Sequence, residues 1–354
     1  MLTENQVRDA LKQVKYPGFS RDIVSFGLVQ GLEVHGDHVH VNLAVTTSDP
    51  KVPKALKEDV EKTLGELPGM KAVHCQVAVT APKGSTGTMG DQKSGTLKGV
   101  KKVIAVASGK GGVGKSTVAV NLACALEQML QDTQGSSRVG LLDCDIYGPS
   151  VPLMMGVGQR PEIKDEKLIP PVNFGISVMS MALLVDENAP VVWRGPMVNQ
   201  AIQQFAQHVD WGDLDVLVVD LPPGTGDAQL SLVQIFPVDG AVIVTTPQRA
   251  AVEVTCRGAR MFEKVQVPLL GVVENMSFLE TPAGKQAIFG EGGGALAAAA
   301  LETELVGQVA LDQAIREGGD HGIPLTVAQP ESSPAKVFRS VAESVWQNLN
   351  KSSK

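Results

Sequence analysis

Eight consecutive residues, Gly109-Lys110-Gly111-Gly112-Val113-Gly114-Lys115-Ser116, satisfy the pattern G-x-x-x-x-G-K-[ST]. Glycines at these spacings let a chain curl until successive N–H groups point into one concavity, which suits phosphate oxygens. The apolar run Val103-Ile104-Ala105-Val106-Ala107 precedes the loop, and the amphipathic stretch Val118-Ala119-Val120-Asn121-Leu122-Ala123 follows it. A strand, a glycine loop and a helix in that order aim the positive end of a helix starting near Lys115 at the same phosphates. In such a loop Lys115 reaches the β and γ phosphates, Ser116 ligates magnesium through its hydroxyl, and Thr117 lies beside the nucleotide. The ligand predicted is a nucleoside triphosphate with Mg2+.

Carboxylates follow two further apolar runs. Leu141-Leu142 leads into Asp143-Cys144-Asp145, and Val216-Leu217-Val218-Val219 into Asp220. Acids at the ends of buried strands face the ligand edge of a doubly wound sheet. Asp220 is expected to hold magnesium through water, and the Asp220-Leu221-Pro222-Pro223-Gly224-Thr225-Gly226-Asp227 segment suits a sensor of the γ phosphate.

The chain has 354 residues, 43% hydrophobic and 4% aromatic, which allows two domains of an ordinary α/β type. Its net charge of −7 offers no general attraction to nucleic acid, so no nucleic-acid partner is expected. No apolar run approaches the roughly 20 residues of a membrane span, and the first residues lack the order of a signal peptide. A cytoplasmic protein without a membrane partner is the expectation. Cys75, Cys124, Cys144 and Cys256 are scattered, so neither a disulfide framework nor a local zinc site is written in their spacing.

Residues 82–101 are polar and rich in glycine, the composition of a flexible linker. They separate a small α+β domain over residues 1–81 from a larger one over 102–350. In the first, Val7 to Val14 and Val52 to Leu67 carry a helical period, while Val39 to Val45 and Val73 to Val79 alternate as strands do. In the second, Val139 to Leu142, Ile176 to Met179, Val216 to Val219, Ala241 to Val244 and Leu269 to Val273 are short strands between helices. Several are continuously apolar, which predicts a mostly parallel sheet buried on both faces.

These residues also carry a resemblance. The loop reads K-G-G-V-G-K-S, like that of the deviant Walker A ATPases, in which the early lysine, here Lys110, reaches the nucleotide of a partner subunit. The resemblance implies an ATP-sandwich homodimer. Asp143-Cys144-Asp145-Ile146-Tyr147-Gly148-Pro149-Ser150, Trp193-Arg194-Gly195-Pro196-Met197, Thr245-Thr246-Pro247-Gln248, Glu274-Asn275-Met276-Ser277 and Ile288-Phe289-Gly290-Glu291-Gly292-Gly293 narrow it to the Mrp/ApbC type of iron-sulfur cluster carrier ATPase. Residues 1–80 resemble the small domain of iron-sulfur assembly factors. The likeness implies slow, magnesium-dependent ATP hydrolysis with Lys110 and Lys115 among the catalytic groups. It also implies an acid that orients water, Asp145 with Asp143 in support or the reverse, and partners that are iron-sulfur apoproteins or assembly proteins. Asn275 matches the residue that reads the adenine edge; taken alone it reads equally as a turn or helix cap.

Two departures limit what carries over. Where the small domain of relatives often has a cysteine turn, this chain has Thr46-Thr47-Ser48-Asp49-Pro50, and the C-x-x-C that bridges a cluster across the dimer is replaced by Phe278-Leu279-Glu280-Thr281-Pro282-Ala283-Gly284-Lys285-Gln286-Ala287. Clusters are held overwhelmingly by thiolates. Cys144 and Cys256 read as small buried hydrophobes, so whether an iron-sulfur cluster binds stays open. The chain either carries clusters through other ligands, regulates their insertion without holding them, or is a nucleotide-gated adaptor. A MinD-like or ParA-like positioning ATPase is the rival. Against it, the tail Ala335 to Leu349 has an apolar face but only a weakly basic polar one, and is expected to pack on its own domain.

Overall fold

The alternating run of the first domain becomes the middle strand of a small sheet in the computed structural model, which describes residues 4–14, 22–24, 28–35, 37–46, 51–67, 70–80, 97–145, 148–184, 202, 205–224 and 227–352. The chain divides into two compact units, Met1–Asp91 and Gln92–Lys354.

In the first unit α1 (Glu4–Leu11) precedes β1 (Val29–His35), β2 (His38–Thr46), α2 (Lys51–Gly65) and β3 (Ala72–Thr80). The sheet order is β1-β2-β3, with β1 antiparallel and β3 parallel to β2. Parallel neighbours need a crossover, and α2 supplies it. Val39, Val41 and Leu43 from β2 meet Leu56, Val60 and Leu64 from α2 and Val7 and Leu11 from α1 in one core. The first helix stops at Leu11, short of Val14. Gln13 and Val14 donate to carbonyls three residues back, a tightened last turn that still buries Val14. The polar–apolar alternation of β1 is interrupted by Gly31 and a bulge between Val29 and Gly31, which hid it from periodicity.

The second unit is built on eight strands: β4 (Val103–Ser108), β5 (Val139–Asp143), β8 (Val172–Asn173), β9 (Ile176–Ser180), β10 (Val216–Asp220), β11 (Gly240–Thr245), β12 (Leu269–Glu274) and β15 (Leu305–Gln308). Between β5 and β8 lie β6 (Glu162–Lys164) and β7 (Lys167–Ile169), a separate hairpin. The sheet runs β15-β12-β11-β4-β10-β5-β9-β8, and only β8 is antiparallel to its neighbour. Ile104 and Val106 point into one apolar layer, Val103, Ala105 and Ala107 into the other. Continuous apolar strands are the consequence of burying both faces.

Helices cover the two faces: α3 (Lys115–Gln134), α4 (Val151–Met154), α5 (Asp227–Ile235), α6 (Arg249–Lys264), α7 (Gly293–Ala300), α8 (Gln313–His321), α9 (Leu325–Ala328) and α10 (Ser333–Ser352). Residues 97–101, inside the stretch read as linker, join this unit through a Val100–Leu214 bridge and the Lys101 amide donating to Leu214. The terminal helix α10 turns Phe338, Val341, Ala342, Val345 and Leu349 inward against α3 and β15. Its apolar face is thus occupied by its own domain. No helix among the described residues is long and apolar enough to cross a membrane.

Phe338 is fully buried, so Phe338→Ala is expected to lower stability by about 3–5 kcal/mol through lost transfer energy and a cavity. Denaturant unfolding checks it, and a loss below about 1 kcal/mol would contradict the packing of α10 on α3.

Candidate functional site

The loop after β4 is shaped by what surrounds its glycines. A Cβ at Gly109 would fall 2.4 Å from the Thr255 backbone nitrogen, so α6 can approach only where that carbon is absent. Gly114 takes φ +78° at the N-cap of α3, and a Cβ there would meet the Asn275 amide at 2.1 Å. Left-handed backbone without a side chain is glycine's province. Around Gly111 and Gly112 the space is open, apart from Pro223 Cγ, 4.0 Å from where a Cβ on Gly111 would lie. Beyond Gly114 the first-turn N–H groups of α3 have no intrahelical partner, so the concavity fits phosphate oxygens.

The charges gather at the carboxyl ends of β5 and β10. Lys115, 6% exposed, donates to Asp220 Oδ1 at 2.5 Å, and the Ser116 hydroxyl donates to Asp220 Oδ2 at 2.6 Å. Lys115 also lies 3.3 Å from the Ser116 oxygen. A hydroxyl and a carboxylate this close form the hard oxygen set that magnesium takes while retaining waters, so these residues fit the ion.

Asp143 stands opposite Asp220 in the sheet register. Burial first, and the Asp220 charge second, push its carboxyl up to about 7. Burial likewise raises Asp220, opposed by Lys115 and the Ser116 hydroxyl. The two acids differ in how their oxygens are used. Asp143 accepts from the Asp145 amide at 2.9 Å, the Val151 amide at 3.3 Å and the Ser180 hydroxyl at 3.2 Å. Asp145 is half-buried and accepts from the Gly148 amide at 3.3 Å. Asp143 is therefore committed to shaping the turn, while Asp145 has acceptor capacity toward solvent.

Asn275, at the end of β12, donates from Nδ2 to the Val113 carbonyl at 2.9 Å. With Thr117, Met276, Leu311, Asp312 and Arg316 it lines a cleft of about 320 Å³ beside the loop. The α8 wall of this cleft escaped the sequence reading. Its available signal was Asp312, the N-cap that accepts from the Ala314 amide. Gln229 and Glu274 escaped as well. Gln229 donates to the Pro222 carbonyl at 2.6 Å and to the Ser108 carbonyl at 3.4 Å, leaning the Pro-Pro segment on the loop. Glu274, fully buried, accepts from Ser277, Gln308 and the Gly294 amide.

Lys110 sits away from this cluster, with its ammonium 3.4 Å from the Gln248 side-chain oxygen and its carbonyl receiving the Ser108 hydroxyl. Arg194, Thr225 and Gly226 lie outside the described residues.

The interval in which the resemblance implies a C-x-x-C forms a hairpin, β13 (Leu279–Thr281) and β14 (Gly284–Gln286), with the Lys285 ammonium 3.9 Å over the Phe278 ring. Elsewhere the thiols are not poised as ligands. Burial pushes Cys75 up to about 11 and Cys124 up to about 12, and burial with the Asp143 and Asp220 charges lifts Cys144 well above its ordinary value. Cys256, half-buried, is raised by burial too. Metal ligation needs the thiolate, and among the described residues no three ligating groups converge. The described thiols of one protomer do not fit a cluster.

Two family models match the chain: an NUBPL iron-transfer P-loop NTPase over residues 99–346 and an iron-sulfur cluster assembly protein over residues 4–77. An iron-sulfur cluster carrier protein of Synechocystis sp. is 43% identical over 353 residues, covering 98% of this chain and 97% of that protein. The iron-sulfur cluster transfer protein NUBPL of Mus musculus is 50% identical over 263 residues, 73% of this chain and 81% of that protein. Among solved structures, a nucleotide-binding protein of Archaeoglobus fulgidus in complex with ADP aligns with TM-score 0.58 at 36% identity, covering 69% of this chain and 94% of that one. The septum site-determining protein MinD of Pyrococcus horikoshii, with Mg-ADP, aligns at TM-score 0.51 and 21% identity over 69% of this chain and 95% of its own, a likeness of fold alone.

With its carboxyl raised in the fold to about 7, Asp143 adds stability fully present below its ordinary value and lost as pH rises through about 7. Asp143→Asn in nucleotide-free protein is therefore expected to flatten the decline in stability between about pH 5 and about pH 8. Urea midpoints at both values measure this, and an unchanged difference would contradict the assignment.

Proposed function

The chain belongs to the iron-sulfur cluster carrier family of P-loop NTPases, and from that premise we propose that it is a magnesium-dependent ATPase whose nucleotide cycle gates iron-sulfur cluster delivery. The arrangement of Lys115, Ser116 and Asp220 under the glycine loop carries the reading. Lys115 neutralises β and γ phosphate charge, while Ser116 and Asp220 would hold magnesium, which supplies further charge neutralisation when bound. Asn275 and the adjoining cleft take the base.

Asp145 orients the attacking water, and Asp143 holds the Asp145 amide and thereby the turn. This division is supported by the free acceptor capacity of Asp145. Phosphoryl transfer asks chiefly for positioning and electrostatic stabilisation, so two lysines and one water-directing carboxylate are adequate machinery. Lys110 crosses to the nucleotide of a second copy and closes an ATP-sandwich dimer; hydrolysis reopens it. The Pro222-Pro223-Gly224 segment, which touches the loop through Gln229 and the Gly224 amide, relays the change.

The cluster is cargo. Since the hairpin at 279–286 has no thiol, its sulfur ligands come from a client apoprotein or assembly protein, and the chain controls transfer without a bridging C-x-x-C of its own. A cytoplasmic setting belongs to the same reading. The fold likeness to MinD supplies no positioning function, and the tail that would serve one is packed on its own domain.

Lys110→Ala is expected to keep ATP binding but lose ATP-dependent dimerisation, with hydrolysis down about 100-fold or more. Light scattering and steady-state phosphate release measure both; a monomeric variant hydrolysing at the wild-type rate would exclude the dimer step. After anaerobic reconstitution with iron and sulfide, wild type and a Cys144→Ala, Cys256→Ala variant are expected to hold equal iron. A stoichiometric cluster lost in the variant would overturn the thiol-free assignment.

A further inference from the structure

The N-terminal unit carries a group of imidazoles that the nucleotide chemistry does not use. Alternation along β2 and β3 sends Val39, Val41, Leu43 and Cys75 into the core, and leaves His38, His40 and His74 exposed on the opposite face. His40 and His74 are register partners on adjacent parallel strands. Their rings stand 5.1 Å apart between centroids, with planes 18° from parallel. Among the described residues neither ring has another partner.

One pleat away, the His38 ring nitrogen Nδ1 lies 2.8 Å from Asp37 Oδ1, and Lys71 holds the other Asp37 oxygen at 2.7 Å. The Lys71 hydrogen bond, and then that of His38, keep the Asp37 carboxyl at about 2.

We propose that His40 and His74 form a two-point site for a divalent transition-metal ion of borderline softness, such as zinc or ferrous iron. Imidazole suits this class of ion. Tetrahedral bonds of about 2.0 Å place two ligand nitrogens a little over 3 Å apart, which side chains on strands about 4.8 Å apart reach once both exposed rings turn out of their stack so that their in-plane lone pairs converge. No three ligating groups converge among the described residues. The remaining positions are therefore filled by water. A site with two protein ligands on an open sheet face binds labile ions, in contrast to a closed structural zinc site. It suits transient loading. Every residue involved belongs to the first unit, so the proposal stands independently of the nucleotide reading.

Calorimetric titration of the full chain with zinc chloride, in buffer free of magnesium and nucleotide, tests it. Wild type and Cys256→Ser are expected to take up zinc at a site that His40→Gln, His74→Gln and the double variant each bind about tenfold or more weakly. Circular dichroism and ATP binding of these variants are expected to match wild type, as befits exposed positions. Indistinguishable zinc isotherms for wild type and the double variant would overturn the proposal, as would absence of zinc uptake by wild type.

Discussion

A lysine ammonium held almost out of water, with one carboxylate and one hydroxyl for company, is the constraint around which the larger unit is arranged. Leaving Lys115 buried without a counter-charge would cost several kcal/mol, so Asp220 must end its strand at that point. The parallel register of β4, β10 and β5 delivers it there, and brings Asp143 alongside as a second acid. Two buried carboxylates and one ammonium cannot all be charged cheaply, which is why Asp143 is pushed toward its protonated form. Phosphates arriving in the loop would add further negative charge, which magnesium would offset. The site is thus poised between two charge states.

Much of this architecture was legible in the residues because its signals are local. Val103–Ala107 and Val216–Val219 announce strands by being apolar throughout, and the glycine pattern between Ala107 and Lys115 admits few readings. Where tertiary context decides, the sequence was mute. The β13–β14 hairpin is three residues to a strand, β1 is interrupted by Gly31, and the α8 wall of the base cleft is more than thirty residues from Asn275 in the chain. In the sequence Glu274 stood out only as part of the Glu274-Asn275-Met276-Ser277 motif, with no role of its own. Only the fold reveals that it is buried and caps α7 through the Gly294 amide.

Glu274 also bears on how distant parts of the site are joined. It contacts Ser277, just before the hairpin, Gln308 at the end of β15 and the start of α7, and it adjoins Asn275 in sequence. Ser277, two residues before the hairpin, is thus tied by a hydrogen bond to Glu274, the chain neighbour of the residue that holds the phosphate loop. A shift of either end has a short mechanical route to the other, without any cluster as intermediary.

Asn275 itself has a consequence for base contact. One of its two amide N–H groups is committed to the Val113 carbonyl, so in the proposed reading it can offer a purine one donor and one acceptor. In that reading the group that meets the base also anchors the loop, and neither property can be altered by substitution at this position while leaving the other untouched.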